Sequence, residues 1–348
     1  MTVTEDSAGV ADDVPAGQGF TFVDLFAGIG GFHRAFGSLG GRCVLACDIN
    51  KYSRQTYTAN YGIEPFGDIT TIGKNELPDH DVLCGGFPCQ PFSLAGVSKK
   101  NSMGVPHGFQ DPKQGNMFFE IIRLVNLRRP KMMFLENVKN LKSHDRGNTW
   151  RVIRNTLVEN NYNVFLKVVD AKHYVPQHRE RMFIICLDAN IYPGEQFVFP
   201  DYPHKRAVEL AAILDPNPDP KYVLSDNMWA YLQKHKENSR AKGSGFGFGL
   251  VDPATTEYTR TMSARYYKDG SEILIRRNEG NPRRLTPREA ARLFGYPESF
   301  TIPVSDAQAY RQFGNSVVVP AVQSVAAEMI KLFTKNSSPT SPGTTFTS

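Results

Sequence analysis

The sequence lacks the features that mark membrane proteins and secreted, disulfide-linked proteins. No apolar run reaches the roughly 18 residues that a membrane helix needs. Residues 1–19 have neither the basic start nor the apolar stretch of a signal peptide, so we expect a cytoplasmic protein. The 5 cysteines include no CxxC pair and no Cys/His spacing typical of structural zinc. A disulfide framework is therefore not expected, and neither is a metal site.

The composition indicates a soluble protein with enough apolar residues for more than one domain. The chain has 348 residues, of which 41% are hydrophobic, and this length favours two domains over one. The net charge is +5 and the pI is about 8.8, which suits a polyanionic partner. Many proteins share this balance without binding nucleic acid, so the charge alone assigns no function.

Hydrophobic patterning predicts a regular α/β first half. Short apolar runs predict six strands, at 21–26, 42–49, 81–84, 131–138, 164–169 and 182–187. Apolar residues at helical spacing predict helices between these strands, among them 51–61 and 149–159. This alternation predicts an α/β fold with a mostly parallel sheet and helices on both faces.

The composition of the sequence changes near residue 190, where prolines cluster and the alternation of predicted strands and helices ends. Helical periodicity returns at 321–333, with an apolar face that needs a partner surface. The polar ends of the chain predict disorder. The predicted divisions are a disordered arm at 1–19, a first domain at 20–189, a second, less regular domain at 190–281, a hinge at 282–305, a segment returning to the first domain at 306–334, and a disordered tail at 335–348.

The segment DLFAGIGGF predicts a nucleotide-binding turn between the first strand and the first helix. Gly28 and Gly30 allow the backbone to turn tightly and to approach a ligand at the helix start. Asp48, at the end of the second predicted strand, is placed to accept the ribose hydroxyls, and Asp68 an adenine amino group. A nicotinamide dehydrogenase is the alternative, but His33 stands at the third glycine position of GxGxxG.

The segment GGFPCQPFS predicts a nucleophile. Cys89 lies between two prolines and follows the predicted strand 81–84, so it is expected above the carboxyl end of the sheet, where α/β folds bind ligands. A thiolate needs nearby positive charge at neutral pH, and Arg179 and Arg181 are candidates for it. Glu136 ends another predicted strand at the same edge, where it can move a proton or bind a base edge.

Five segments resemble, in order, the motifs of the DNA (cytosine-5)-methyltransferases: DLFAGIGGF, GGFPCQPFS, LENV, QHRERMFII and FGNSVVVP. The resemblance covers about 20–190 and 282–334. It is closest to the bacterial Dcm type, including the segments GFGFGLV and TRTMSARYYKDG. It implies a Rossmann-like domain that uses S-adenosylmethionine, and it implies that 190–281 is a smaller, irregular target-recognition domain.

The resemblance implies a mechanism on duplex DNA. Cys89 would attack C6 of a cytosine that has left the helix, because a stacked base is out of reach of the thiolate. Glu136 would contact N3 and the exocyclic amine, Arg181 would contact O2, and Arg179 would support the same pocket. The methyl donor would be S-adenosylmethionine, which would leave as S-adenosylhomocysteine, with no metal.

The remaining site predictions fall into two groups. The predicted cofactor contacts are Phe26, Gly28, Gly30, Asp48, Ile49, Asp68, Ile69 and Asn315; many relatives carry Trp at the position of Ile49, so aromatic stacking on the adenine is lost there. The predicted contacts with substrate or DNA are Gln90, Ser93, Asn137, Gln177, Arg260, Thr261 and Arg265. Arg260 and Arg265 belong to a basic and aromatic cluster with Tyr266, Tyr267 and Lys268, and arginine reads guanine by paired hydrogen bonds.

The expected partner is double-stranded DNA, modified by a monomer at a short palindrome rich in G and C. A restriction endonuclease of the same bacterial system would be a functional partner without a stable complex. An RNA cytosine methyltransferase is a second hypothesis, but the Cys-Phe-Thr signature of the tRNA-directed branch is absent. A degenerate member that only binds is a third, and intact Cys89, Glu136, Arg179 and Arg181 argue against it.

Overall fold

A six-stranded sheet forms the centre of the protein. A computed structural model describes residues 19–88, 117–241, 243 and 247–337. The strands are β1 (Thr21–Leu25), β2 (Arg42–Cys47), β3 (Val82–Gly86), β4 (Met132–Val138), β5 (Tyr162–Asp170) and β6 (Glu180–Asp188). Their order across the sheet is β2-β1-β3-β4-β6-β5. All six lie where the hydrophobic runs predict them, with ends that differ by up to two residues.

The sheet is parallel from β2 to β4 and antiparallel beyond it. β1 pairs in parallel with β2 and β3, and β3 pairs in parallel with β4. β6 runs antiparallel to both β4 and β5. The short segment 171–179 joins β5 to β6 without a crossover helix, which a parallel pair would need. The start of β6 therefore lies at the same edge of the sheet as the end of β4.

Helices cover both faces of the sheet, as predicted. The helices are α1 (Gly31–Gly37), α2 (Lys51–Tyr61), α3 (Met117–Leu127), α4 (Asn148–Glu159), α5 (Leu210–Ile213), α6 (Asp226–Ala241), α7 (Pro287–Leu293), α8 (Asp306–Asn315) and α9 (Val319–Ser337). Alternate residues of the strands contribute to two apolar clusters. One cluster includes side chains of α1, α7, α8 and α9, and the other includes side chains of α3 and α4.

Local sequence signals account for where several helices begin and end. The side chain of Asn50 accepts hydrogen bonds from the backbone of Tyr52 and Ser53 at the start of α2, and Gly62 ends the helix at φ 66°. Thr286 caps α7 and shares a capping box with Glu289, with a proline at the first helical position.

The described residues of 190–281 contain little regular structure apart from α5, α6, a short 3-10 helix at Pro220–Tyr222, and a two-stranded sheet of β7 (Leu250–Val251) and β8 (Leu274–Ile275). The 16-residue helix α6 was not predicted. Its contribution to the core is small, because Leu232 is its only buried residue. Most of the predicted arm at 1–19 and of the predicted tail at 335–348 lies outside the described residues.

The apolar face of helix α9 packs against the core, as its helical periodicity predicts. Val322, Val325 and Met329 are buried in the cluster that also holds the apolar side chains of α1. The stretch Asp306–Lys335 has the length and composition of a membrane helix, a test that core helices of soluble proteins also pass.

Candidate active site

The candidate site lies at the carboxyl edge of the parallel strands, where β3 and β4 end side by side. Gly86, the last residue of β3, is the register partner of Glu136 on β4. A Cβ atom at Gly86 would lie 3.2 Å from Oε2 of Glu136, so the glycine leaves room for the carboxylate. The next residue, Phe87, accepts a 2.8 Å hydrogen bond at its carbonyl from Nδ2 of Asn137. The segment that leads to Cys89 is thus fixed beside Glu136.

Three predicted site residues, Cys89, Gln90 and Ser93, lie outside the described residues. The structure describes the chain up to Pro88, one residue before the predicted nucleophile. Asn137, a predicted contact with substrate or DNA, is buried, and both ends of its amide bind the protein itself. Its Oδ1 accepts from the backbone of Val138, and its Nδ2 donates to Phe87.

Glu136 forms an ion pair with Arg181 across the two strands. Nε of Arg181 lies 3.0 Å from Oε1 of Glu136, and both side chains are largely buried. Burial raises the pKa of Glu136 from its ordinary value of 4.5, while the charges of Arg181 and Arg179 oppose that shift. β6 runs antiparallel to β4, and Arg181 is the register partner of Val138, two residues after Glu136 on β4. Arg181 is therefore close enough to pair with Glu136 across the two strands.

Arg179 is almost entirely buried, at 2% exposure, and it donates to the protein backbone. Nη1 donates to the carbonyl of Met262 at 3.0 Å, and Nη2 donates to the carbonyls of Gly314 at 3.0 Å and Ser316 at 2.8 Å. The guanidinium also lies over the ring of Phe294, 5.0 Å from its centroid. Desolvation lowers the pKa of Arg179, and the charge of Arg181 lowers it further.

The segment after β5 is attached to the segment 259–262. Gln177 is fully buried, and its Oε1 accepts from the backbone of Met262 at 2.9 Å. The backbone of Thr259 pairs with Pro176 and His178. Oγ1 of Thr261 donates to the carbonyl of His178 at 2.6 Å. The predicted DNA-reading element therefore lies directly against the motif that carries Arg181.

The basic and aromatic cluster predicted at 260–268 is only partly a surface feature. The side chains of Arg260 and Arg265 are exposed. Tyr266 is not part of that surface, because it is fully buried and its hydroxyl donates to the carbonyl of Ile273. The same hydroxyl accepts from the backbone of Leu285, so Tyr266 has a structural role in this segment.

The glycine turn after β1 has the backbone that close approach of a ligand requires. Phe26, Gly28 and Gly30 all have positive φ, at 54°, 55° and 80°. No atom lies within 4 Å of the place where a Cβ of Gly28 would stand, so that position faces open space. Oδ2 of Asp48 accepts from the backbone of Gly28 at 2.8 Å and connects the turn to the end of β2. Burial raises the pKa of Asp48.

Ile49 has a large apolar surface open to solvent beside this turn. Its side chain is 80% exposed, and its carbonyl and that of Asp48 each accept a hydrogen bond from Arg54. Asp68 is exposed, and it caps the short helix Ile69–Thr71. Hydrogen bonds from the backbone and hydroxyl of Thr70 lower the pKa of Asp68.

Two further predicted cofactor contacts, Ile69 and Asn315, differ in their exposure to solvent. The side chain of Ile69 is buried in the core cluster beside α3. Asn315 is exposed at the end of α8, between the two residues whose carbonyls accept from Arg179.

Tyr61, at the end of α2, was not predicted as a site residue. Its hydroxyl donates to the carbonyl of Gly30 at 2.9 Å, and its ring is stacked on His33 at a centroid distance of 4.0 Å. A side chain on Gly30 would meet that ring, because its Cβ would lie 2.2 Å from Cε2 of Tyr61. The sequence carries no local signal for this contact, since it joins residues 31 positions apart.

Comparison with known proteins places this arrangement in a family. The family model of C-5 cytosine-specific DNA methylases matches residues 20–331. The chain is 46% identical over 362 residues to the DNA-cytosine methyltransferase of Escherichia coli K12, covering 88% of this chain and 76% of that protein. It is 48% identical over 316 residues to the type II methyltransferase M.NlaX of Neisseria lactamica, covering 89% of this chain and 96% of that protein.

The fold comparison agrees with the family match. A solved methyltransferase structure from S. pombe, Dnmt2, superposes with a TM-score of 0.70 at 19% identity, covering 90% of this chain and 99% of that one. An identity this low indicates a common fold and nothing finer. The chain belongs to the family of C-5 cytosine-specific DNA methylases, a class of methyltransferases. Within that family it resembles the bacterial Dcm type, as the sequence predicts.

Proposed function

We propose that this protein methylates C5 of a cytosine at specific sites in duplex DNA, with S-adenosylmethionine as the methyl donor. One observation carries the proposal: the Glu136–Arg181 ion pair lies beside Gly86 and Phe87, at the start of the segment that holds Cys89. A buried carboxylate and a guanidinium at one strand edge can bind the polar edge of a base. The names of the relatives agree with DNA as the substrate.

Cys89, Glu136 and Arg181 each have a separate role in the proposed reaction. The Cys89 thiolate forms a bond to C6 of the cytosine, which makes C5 nucleophilic. Glu136 hydrogen-bonds N3 and the exocyclic amine, and burial raises its pKa, so it takes up a proton more readily than an exposed glutamate does. Arg181 orients Glu136 and contacts O2. After C5 has gained the methyl group, its proton passes to solvent water and the C6–sulfur bond breaks to restore the Cys89 thiolate, while N3 returns its proton to Glu136.

The glycine turn and its neighbours fit S-adenosylmethionine. Gly28 faces open space, Asp48 and Asp68 supply carboxylate oxygens, and the exposed side chain of Ile49 supplies an apolar surface for an adenine. When bound, the cofactor supplies an activated methyl group on its sulfonium. Oδ1 and Oδ2 of Asp48 each accept one backbone hydrogen bond and keep lone pairs for ribose hydroxyls. Phe26, Gly30 and Asn315, with the backbone of Ile69, complete the proposed cofactor site.

The segment 190–281 is proposed to read the target sequence, with 282–305 as the hinge to the catalytic domain. Thr261, Arg260 and Arg265 are the proposed base and phosphate contacts, and Gln177 connects their segment to the motif QHRERMFII, which carries Arg181. The target cytosine would be flipped out of the helix, at a cost of a few kcal/mol. We further propose a monomer in the bacterial cytoplasm, within a modification system that has a restriction endonuclease partner.

The test is methyl transfer from tritiated S-adenosylmethionine to unmethylated plasmid DNA, with Cys89→Ser alongside the wild type. We expect tritium in 5-methylcytosine with the wild type and none with the variant. Transfer to RNA and none to DNA would move the assignment to an RNA methyltransferase. Cofactor binding without transfer to either nucleic acid would indicate a binding protein and contradict the proposal.

A further inference from the structure

Three segments that are far apart in the sequence meet at the guanidinium of Arg179. Its hydrogen bonds run to Met262 in the proposed recognition segment, and to Gly314 and Ser316 on either side of Asn315. Arg179 itself stands two residues before Arg181, the partner of Glu136. One side chain therefore connects the proposed recognition segment 190–281, the motif FGNSVVVP and the start of β6, which carries Arg181.

The junction around Arg179 is closely packed from backbone to backbone. A Cβ atom on Gly314 would lie 2.3 Å from the backbone carbon of Ser263, so only glycine lets α8 approach this segment so closely. Oε1 of Gln177 accepts from the backbone N–H of Met262, the residue whose carbonyl accepts from Arg179. A displacement of the segment 259–264 would therefore act on Arg179 and on the end of α8 together.

Burial of the charged Arg179 side chain is energetically unfavourable, so close packing alone does not explain why an arginine occupies this position. Within the part of the chain that the structure describes, no carboxylate lies within salt-bridge distance of Arg179, and its Nε has no hydrogen-bond partner. A buried charge without an ion pair is unfavourable for folding. The planar guanidinium reaches the carbonyls of three residues at once, which a lysine ammonium on a single flexible stem does not reproduce.

We propose that Arg179 is a positioning residue that couples target recognition to catalysis and to the cofactor site. It acts through the backbone of Met262, Gly314 and Ser316, and it holds Arg181 in register with the segment that reads DNA. This inference rests on the proposed function, and it gives Arg179 a part separate from direct contact with the cytosine.

The test compares Arg179→Lys with Arg181→Lys on plasmid DNA. Bisulfite sequencing first maps the cytosines that the wild type modifies, and the readout is the rate at mapped sites divided by the rate at all other cytosines. We expect Arg179→Lys to lower this ratio roughly tenfold, a typical size for coupling between two sites. Arg181→Lys should lower the rate at mapped sites and leave the ratio unchanged. An unchanged ratio in Arg179→Lys would overturn the proposal.

Gly314→Ala tests the same junction without changing Arg179. It should lower the ratio of the rate at mapped sites to the rate at other cytosines, as Arg179→Lys does. In the double variant, the ratio should fall by less than the product of the two single-variant factors. Amide hydrogen exchange supplies a readout that needs no activity. We expect Arg179→Lys to speed exchange in 259–264 and in 313–317 together, and faster exchange in one segment alone would contradict the junction. If the wild type transfers no methyl group to DNA, the proposed function fails, and the exchange data still decide whether Arg179 joins the segments.

Discussion

At the scale of single residues, the environment of Glu136 decides what its carboxyl group can do. Burial raises its pKa, and the ion pair with Arg181 limits that shift. Glu180, one residue before Arg181, has a different environment. It pairs with Lys139 at the surface, where solvent weakens the interaction. These two carboxylates near one arginine form a matched pair for experiment.

Glu136→Gln should lower the turnover number by about 10²-fold, because the amide keeps the shape of the side chain but has no acidic proton to transfer to the base. Glu180→Gln should leave the turnover number within about twofold, since exposed ion pairs contribute little. The measurement is steady-state methyl transfer at saturating DNA and cofactor, with thermal unfolding to show that both variants fold. Equal rates for the wild type and Glu136→Gln would remove Glu136 from the mechanism.

At the scale of elements, the turn between β1 and α1 shows what a sequence can and cannot predict. The segment DLFAGIGGF predicts a turn with special backbone angles, and the positive φ values of Gly28 and Gly30 confirm it. The strands were predictable because their apolar runs are short and bounded. The contact of Tyr61 with Gly30 was not, since it depends on tertiary placement. The antiparallel pairing of β6 with β5 follows from the short segment between them, and only the position of β6 beside β4 depends on tertiary placement.

Gly28→Ala and Gly30→Ala separate backbone strain from steric overlap in this turn. Both positions have positive φ, which costs a side chain roughly 1–3 kcal/mol. Only at Gly30 would the new Cβ also meet the ring of Tyr61, whereas Gly28 has no neighbour within 4 Å. Gly30→Ala should therefore lower the free energy of unfolding by at least about 1 kcal/mol more than Gly28→Ala. Urea denaturation measures the difference, and equal losses would show that Tyr61 yields without cost.

At the scale of the whole molecule, buried charges join segments that are distant in sequence. Glu289 is fully buried and accepts two hydrogen bonds from Arg283 at 2.7 and 2.8 Å. It also accepts from the backbone of Asp215 and Thr286. One carboxylate thus connects the end of α5, the start of α7 and the segment before it. No periodicity in the sequence predicts this, because the partners are up to 74 residues apart.

Glu289→Gln should lower the free energy of unfolding by about 3–5 kcal/mol, because it leaves the buried Arg283 without a counter-charge. Glu298→Gln is the control, since Glu298 pairs with Arg292 and is 67% exposed. The control should lose no more than about 1 kcal/mol. Equal losses in the two variants, measured by chemical denaturation, would show that the buried pair does not hold these segments together.

The most direct test of the whole account is a duplex that carries 5-fluorocytosine at a mapped target site. Fluorine at C5 does not leave as a proton does, so the bond between Cys89 and C6 should persist after methyl transfer. We predict a complex that survives denaturation, with the mass of the protein, the DNA strand and one methyl group, and no such complex with Cys89→Ser. Methylation of the unmodified duplex by the wild type, without any complex on the fluorinated one, would contradict the mechanism.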